Sequence, residues 1–367
     1  MSQYAGRSAQ GENLLRTLHF DHPAWTPVSV SFLPAARVQY GAALDDVLLK
    51  HPRVFPGYDP ASQEPAGTFY DLYVEGRVTD CWGCVWENLH GGMVGQVTGH
   101  PLAGWQDFDA WKADAPDPET DGLLEPRDWA AVQRDIARRK ELGRFSPDHA
   151  LAHGFHYMLL CDLRGFENVM MDMATGEPKL DELIEIITRY NVEVTRRLLG
   201  CGTEFMGLAE DLGMQRSLPI SLELWRRYVK PGYEATAGQA RDRGIPVFLH
   251  SDGHLLPILG DLYETGIRMV NPQVRANGLD GLREARGHLA LCLDLDRQLF
   301  PFATPEQLEK HVRECHEALH RPEGGLMLNV EIGQDVSLES MEALFTALEA
   351  VCNLPDPGDT GGEPVGF

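Results

Sequence analysis

The sequence predicts an α/β protein, a single (β/α)8 TIM barrel whose active site lies at the carboxyl ends of the strands. After residue 200, short apolar runs alternate with amphipathic helical segments, and each run ends on polar side chains. Strands that alternate with helices in this way are typical of a parallel sheet. Right-handed crossovers of similar length favour closure of that sheet into a barrel.

The chain of 367 residues has the length of one such barrel with an N-terminal elaboration. We expect a single barrel domain over residues 1–352. Residues 353–367 are rich in Pro, Gly, Asp and Glu and offer little apolar surface to bury. The sequence therefore predicts a flexible C-terminal tail after the barrel.

The individual strands and helices follow from apolar runs and from apolar stripes at helical spacing. Residues 183–198 carry such a stripe, which predicts a helix facing the core. Residues 125–142 predict a charged helix, and further helices are expected at 222–243, 255–265 and 338–352. The predicted parallel strands lie near residues 28–32, 204–208, 246–249, 268–270, 289–293 and 326–329.

Polar side chains follow five successive strands after residue 200, at the point where each strand ends. The most informative stretch is an apolar strand at 247–249 that stops on His250 and Asp252. Helix capping explains one such pair equally well, but clustering at five strand ends favours a shared catalytic mouth. The residues at these ends are Glu210 and Asp211, His250 and Asp252, Asn271, Asp294 and Asp296, and Asn329 and Glu331.

The composition of the chain limits the kinds of molecule that the protein is expected to bind. The formal net charge of −23 is spread along the chain, whereas nucleic acid and anionic membranes both require a basic footprint. We therefore expect a small-molecule substrate, no nucleic acid and no membrane. The first residues are polar and lack the apolar core of a secretion signal, and no apolar stretch has the length of a membrane span. Seven scattered cysteines, an odd number, are typical of a reducing cytoplasm.

Cys81 and Cys84 form the one C-x-x-C pair. Such a pair serves as a redox dithiol or as half of a zinc site. No second pair completes a structural zinc site, and the segment does not lie between a strand and a helix. The favoured interpretation is packing of Trp82 and Trp86 around Asp80.

Several segments of the chain resemble the uroporphyrinogen decarboxylase superfamily, and they occur in the order found there. The resemblance covers most of residues 70–350 and implies a single (β/α)8 barrel with its cleft at the carboxyl end of the strands. Homodimers are common in this superfamily, so the resemblance allows for a homodimer, although the surface pattern of the sequence does not establish one. The segments are DCWG at 80–83, LRGFE at 163–167, DLGMQ at 211–215, LPIS at 218–221, FLHSDG at 248–253, NPQ at 271–273 and LNVEIG at 328–333.

Two activities share this fold, and the first is decarboxylation of uroporphyrinogen without a cofactor. Those enzymes carry a basic N-terminal segment close to MRQAGRY, whereas this chain has FLPAARVQY at 32–40 and retains Arg37. They also place a histidine in the last strand's loop, where this chain has Ile332. A substrate with eight carboxylates needs several cations at the mouth, so uroporphyrinogen itself is not the expected substrate.

The second activity belongs to zinc-dependent methyltransferases, which move a methyl group between a corrinoid and a thiol. Their zinc ligands follow the pattern His-x-Cys, with a further Cys in the last loop. This chain has His250 and Asp252 for the first pair, and Glu331 stands beside Ile332 at the place of the distant Cys. A nitrogen and oxygen ligand set binds zinc but also suits manganese or iron. The resemblance thus implies a divalent metal, zinc first, with a methyl-corrinoid as co-substrate.

On this resemblance we expect a metal-assisted methyltransferase or demethylase that acts on a small substrate, with a corrinoid protein as a partner. The metal would polarise a methoxy or methylthio group or lower the pKa of a bound nucleophile. Its predicted ligands are His250, Asp252, Glu331 and Glu210, with Glu210 or Asp211 as the fourth ligand or as an outer acceptor to the imidazole. The predicted catalytic residues are Asp80, Arg37 and Asp211, and the predicted substrate contacts are Trp82, Tyr157, Asn271 and Asn329.

Three alternatives remain open from the sequence. In a metal-free decarboxylase of a smaller carboxylate, Asp80 would stabilise a protonated intermediate and Arg37 would hold the carboxylate through two hydrogen bonds. In a purely structural interpretation, Asp252 caps a helix and Glu331 pairs with an arginine. A non-catalytic binding partner for a corrinoid protein is the third, although such a module does not need so many ionisable groups at strand ends.

Overall fold

The computed structural model describes residues 4–63 and 71–360. These residues form two compact units, one made of residues 4–63, 138–146 and 268–360 and the other of residues 71–137 and 147–267. No helix within the described ranges combines the length and the hydropathy that a membrane span requires.

Four parallel strands make up the sheet of the first unit. Val28 lies opposite Leu328 in the register of its first pair, and Phe32 lies opposite Ile332. Numbered along the chain, the strands are β1 (Val28–Phe32), β8 (Ile267–Asn271), β9 (Ala290–Asp294) and β10 (Leu326–Ile332). They pair in the order β1, β10, β9, β8.

The helices of the first unit begin at residues suited to cap them. Thr304 and Gln307 form a reciprocal capping box before Pro305, and the Ser337 hydroxyl accepts the backbone N–H of Ser340. The helices are α1 (Ala9–His19), α2 (Pro34–Tyr40), α3 (Ala42–Lys50), α12 (Val274–Asn277), α13 (Leu279–Ala285), α14 (Pro305–Leu319), α15 (Leu338–Val351) and α16 (Pro357–Thr360).

The second unit contains two sheets. One is antiparallel, with β2 (Gly76–Thr79), β3 (Val85–Asn88) and β4 (Gln96–Gly99) in sequence order. The other is parallel, with β5 (Asp148–His149), β6 (Met206–Ala209) and β7 (Val247–His250) side by side.

Helices accompany these sheets, and the last residues of α5 belong to the other unit. The longest, α8, begins after Glu177, whose carboxylate accepts the backbone N–H of Lys179. The helices are α4 (Phe108–Ala113), α5 (Trp129–Glu141), α6 (Tyr157–Arg164), α7 (Phe166–Thr175), α8 (Pro178–Gly200), α9 (Leu222–Tyr228), α10 (Lys230–Arg241) and α11 (Leu259–Thr265).

The predicted α/β class is confirmed, and each of the six predicted strands is present. The described residues carry seven parallel strands, one fewer than an eight-stranded barrel requires. β5 was not predicted, because a strand of two residues leaves no periodic signal. The antiparallel sheet was not predicted either, since β2 is exposed along its whole length and has no apolar face.

One predicted helix, at 222–243, is two helices in the structure. The first ends at Tyr228 and the second begins at Lys230. Pro231 has no N–H to donate to the preceding turn, so a helix restarts there and does not run through.

The predicted flexible tail at 353–367 falls partly outside the described residues, which end at residue 360. Within them, Leu354 is buried, and Asp356 forms an ion pair with Arg53 at 2.6 Å. The short helix α16 follows.

All seven cysteines lie in the described ranges, and each is a free thiol. Burial raises the pKa of Cys81 to about 12 and that of Cys84 still further, which keeps both protonated. We expect seven titratable thiols per chain when fresh protein is denatured without reductant. A thiol count of five would contradict this expectation and indicate a disulfide between Cys81 and Cys84.

Candidate metal site and adjoining cavity

The loops that follow β6 and β7 approach each other at two glycines. Gly253 has a φ of +86°, and a Cβ built on it would lie 2.2 Å from the carbonyl of Gly213. The backbone N–H of Gly213 donates to the Asp252 carbonyl at 3.2 Å, and that of His254 donates to the Met214 carbonyl at 2.8 Å. Only glycine at these positions allows the loops to come this close, and their contact fixes the polar residues between them.

Asp211 and His250 lie at the start of these two loops. The Oδ1 atom of Asp211 accepts the backbone N–H of Asp252 at 3.2 Å and lies 4.0 Å from His250 Nε2. His250 Nε2 is also 3.8 Å from Oδ1 of Asp252. The His250 side chain is 28% exposed, so this group opens towards solvent.

The loop after β5 supplies a third group, His153. Its Nε2 lies 3.4 Å from Asp211 Oδ1, and its ring centroid is 5.6 Å from that of His250. The backbone N–H of Gly154 donates to the Ala209 carbonyl at 2.8 Å, which ties this loop to the end of β6. His153, Asp211 and His250 therefore offer one ligand atom each within 4.8 Å of one another.

Glu210 fixes the start of the helix that follows the His153 loop. Its carboxylate is fully buried and accepts the backbone N–H groups of His156 and Met158, both at 2.9 Å. The hydroxyl of Tyr233 donates to it at 2.5 Å. Burial raises the pKa of Glu210 to about 7, against the opposing effect of these three donors. Its carboxylate is thus engaged in positioning the loop.

The charges of His153 and Asp211 shift each other's pKa. Burial acts to lower the pKa of His153, but the Asp211 carboxylate outweighs it, and the pKa is raised. Burial likewise acts to raise the pKa of Asp211, and the hydrogen bond from His153 reverses the shift, so that the pKa is lowered. Asp211 is therefore ionised at neutral pH and carries a negative charge towards both imidazoles.

The donor set fits a divalent metal ion. Tetrahedral zinc with nitrogen and oxygen ligands at about 2.0–2.2 Å separates neighbouring ligand atoms by roughly 3.4 Å. The separations from Asp211 to the two imidazoles, 3.4 Å and 4.0 Å, need little movement to reach that value. Two imidazoles and a carboxylate suit zinc, manganese and iron(II) alike.

A cavity of about 180 Å³ adjoins this group, and His153 belongs to its wall. Its other polar wall residues include Asp80, Arg127, Asp162 and Asn191, and the aromatic ones include Trp82, Trp86 and Tyr190. All of these residues belong to the second unit.

Asp80 is held rigidly in this wall. Its Oδ1 accepts the backbone N–H groups of Trp82 at 2.9 Å and Cys84 at 2.8 Å, and its Oδ2 accepts the Trp86 indole N–H at 2.8 Å. Burial nevertheless raises its pKa. The predicted packing of Trp86 against Asp80 is present as this hydrogen bond.

The remaining predicted site residues of the first unit have other partners. Glu331 forms an ion pair with Arg297, whose Nε is 3.5 Å from Asp294, and the Asn329 side-chain N–H donates to Asp294 at 3.0 Å. The side-chain N–H of Asn271 donates to the Cys292 carbonyl. Arg37 packs over the Phe32 ring at 5.2 Å. In the second unit, Tyr157 is buried at the start of α6.

His250 and Asp211 were predicted as site residues from the sequence, whereas His153 and Asp162 were not. His153 follows the two-residue strand β5, so no apolar run marked it as a strand end. The available signal was its position: like His250, it stands shortly after a strand in a loop that contains glycine. Asp162 lies within α6, where it is the one carboxylate of a mainly apolar helix, and that is the only clue.

The comparisons with known proteins agree with this architecture. The sequence model of uroporphyrinogen decarboxylase matches residues 156–351, more than half of the chain. A methyltransferase from Methanosarcina mazei has a similar fold, with a TM-score of 0.61 and 18% identity over 94% of this chain and 99% of that chain. A B12-independent methionine synthase from Shewanella sp. W3-18-1 is less similar, with a TM-score of 0.39 and 11% identity over 63% of this chain and 67% of that chain. No curated protein matches significantly.

The family match includes the Glu210–Asp211 and His250–Asp252 strand ends that build the site, and it begins at His156, beside the loop that carries His153. Since it extends over more than half of the sequence, the chain belongs to the uroporphyrinogen decarboxylase family.

Proposed function

We propose that this protein is a metal-assisted methyltransferase or demethylase of the family, which moves a methyl group between a small substrate and a corrinoid or thiol acceptor. The observation that carries the proposal is the convergence of His153, Asp211 and His250 beside a cavity whose wall includes His153. An uroporphyrinogen-like decarboxylation needs no such group, whereas methyl transfer to or from a thiol gains from one.

Each residue has a distinct part in this function. His153, Asp211 and His250 would hold the metal, with Asp252 as a further carboxylate 3.8 Å from His250. A divalent ion there supplies Lewis acidity, which lowers the pKa of a bound thiol or polarises a methoxy or methylthio group. The Asp252 backbone N–H orients the Asp211 carboxylate, and Glu210 fixes the start of the helix that follows the His153 loop.

The cavity would hold the small substrate beside this group. Asp80 cannot easily turn towards a substrate, because three donors fix its carboxylate. Its role in the proposal is therefore to shape the wall through Trp82 and Trp86, and not to act as a mobile base. A corrinoid protein is the proposed macromolecular partner.

The alternative of a carboxylate substrate is less well supported by the cavity. Arg127 is the arginine of its wall, and its guanidinium already donates to the carbonyls of Asp121 and Ala150 and to the Tyr190 hydroxyl. Three of its five N–H donors are thus engaged within the protein. A second carboxylate, Asp162, faces the same space and would repel an anion.

Methyl transfer can be tested with methylcobalamin and a small thiol. The thiolate takes the methyl group as a thioether, the cobalt keeps the electron pair and becomes Co(I), and the thiol proton goes to solvent. We expect a zinc-dependent change in the corrinoid spectrum that the Asp211→Asn variant lacks. The control is His90→Ala, which changes an exposed histidine in the same unit. A spectrum that changes at the same rate with and without metal would overturn the proposal.

A further inference from the structure

The cavity wall contains a carboxylate that no residue in the described part of the chain neutralises. Asp162 lines the cavity, and its side chain has no hydrogen-bond or ion-pair partner among the described residues. Its backbone carbonyl is engaged with His100 at 2.7 Å, so the segment is fixed while the side chain stays available. An unpaired carboxylate in a partly desolvated wall is costly, and a bound ligand can relieve that cost.

The groups that face Asp162 increase this cost. Burial is the main reason that its pKa rises to about 7, and the carboxylates of Asp80 and Glu210 raise it further. His153 acts in the opposite direction. Arg127 lies in the same wall, but its guanidinium packs over the Tyr190 and Trp129 rings and donates to the protein, so it does not pair with Asp162.

Aromatic side chains supply the rest of the surface that a cation prefers. Trp82 and Tyr190 meet edge to face, with ring centroids 4.8 Å apart, and both line the cavity together with Trp86. The face of an indole or phenol ring attracts a cation within about 6 Å of its centroid. Recognition of methylated ammonium groups commonly uses such rings with a nearby carboxylate.

The volume of the cavity limits the ligand to a small one. About 180 Å³ is available, and a cavity of about 150 Å³ is sufficient for benzene. A small methylated amine fits this space, whereas a tetrapyrrole does not.

We propose that this cavity binds a small organic cation, a protonated or quaternary methylated amine, with Asp162 as its counter-ion and the rings of Trp82 and Trp86 beside its methyl groups. The choice of a methylated ligand rests on the proposed function. The binding site itself does not, because neither a metal nor a corrinoid takes part in it.

The test compares choline with 3,3-dimethylbutan-1-ol, its uncharged isostere, by calorimetric titration of metal-free full-length protein. We expect choline to bind at least tenfold more tightly. Asp162→Asn should abolish that preference, and Asp162→Glu should retain part of it. The matched control is Asp109→Asn, an exposed aspartate of the same unit whose nearest recorded cation, Lys112, is 3.9 Å away.

The affinity for choline should rise about tenfold between pH 6 and pH 8, because a carboxylate with a pKa near 7 is mostly protonated at pH 6. His153 loses its charge in the same direction, and Glu210, whose pKa burial raises to about 7, gains a negative charge over the same range. The part of this pH dependence of choline binding that is due to Asp162 is the part that disappears in the Asp162→Asn variant.

Equal affinity of the two isosteres, or the same loss in Asp109→Asn as in Asp162→Asn, would overturn the proposal. Circular dichroism of each variant identifies misfolding, and Asp162→Glu then decides the question. The titration contains no metal and no methyl acceptor, so its failure would leave the methylcobalamin assay as a separate test of the proposed function.

Discussion

Replacement of His153 or His250 by alanine should weaken the binding of zinc by at least about 100-fold. Loss of an outer-sphere partner alone costs about 10–100-fold in metal affinity, and loss of a ligand costs more. The unaltered protein should bind one ion per chain in a calorimetric titration with zinc, manganese or iron(II). The fold should survive, since the side chains of His153 and His250 are 50% and 28% exposed.

The same titration distinguishes between two possible sets of metal ligands. The structure groups His250 with His153 and Asp211, whereas the sequence predicted His250 with Asp252 and Glu331. Glu331→Gln should therefore bind zinc as tightly as the unaltered protein, because the recorded partner of Glu331 is Arg297. Tight binding by His153→Ala together with loss in Glu331→Gln would favour the sequence-derived set.

The pH dependence of zinc binding has a defined sign. Both histidines must be neutral to act as ligands, so protons compete with the metal. Asp211 raises the pKa of His153, and this competition therefore begins at a higher pH than for an unperturbed histidine. Affinity should fall as the pH is lowered through that range. A constant affinity between pH 8 and pH 6 would contradict His153 as a ligand.

The parallel strands could be predicted because buried strands are continuous apolar runs. Val247–His250 is such a strand, and its last residue, His250, belongs to the candidate metal group. Its partners could not be predicted from spacing alone, since convergence depends on which loops touch. The contact between Gly213 and Gly253 brings Asp211 and His250 together, and no sequence period records a contact between residues 40 positions apart.

The roles of charged residues are harder to predict from the sequence than the positions of strands. Glu210 and Asp211 are neighbours in sequence, yet one is buried and accepts three donors while the other faces two imidazoles. The direction in which each side chain leaves the end of β6 decides these roles. Both residues were predicted to lie near the site, but their neighbouring positions in the sequence do not distinguish their roles.

The substitution Gly253→Ala should cause both a large loss of stability and a loss of zinc binding. A positive φ costs a residue with a Cβ about 1–2 kcal/mol, and the new Cβ would overlap the Gly213 carbonyl at 2.2 Å. Overpacking of this kind adds about 1–3 kcal/mol. We expect the free energy of unfolding in urea to fall by roughly 2–5 kcal/mol, the sum of these two costs.

Gly244→Ala provides the matched control for this substitution. Gly244 also has a positive φ, +70°, but its Cβ would meet no atom within 4 Å. The Gly244→Ala variant should therefore be destabilised only by the backbone strain, about 1–2 kcal/mol, and should retain its zinc affinity. Because the backbone strain is shared, the difference between the two variants measures the contact between the loops. If Gly253→Ala binds zinc as tightly as Gly244→Ala does, then the loop contact does not position Asp211 and His250, and the geometry of the metal site must depend on other interactions.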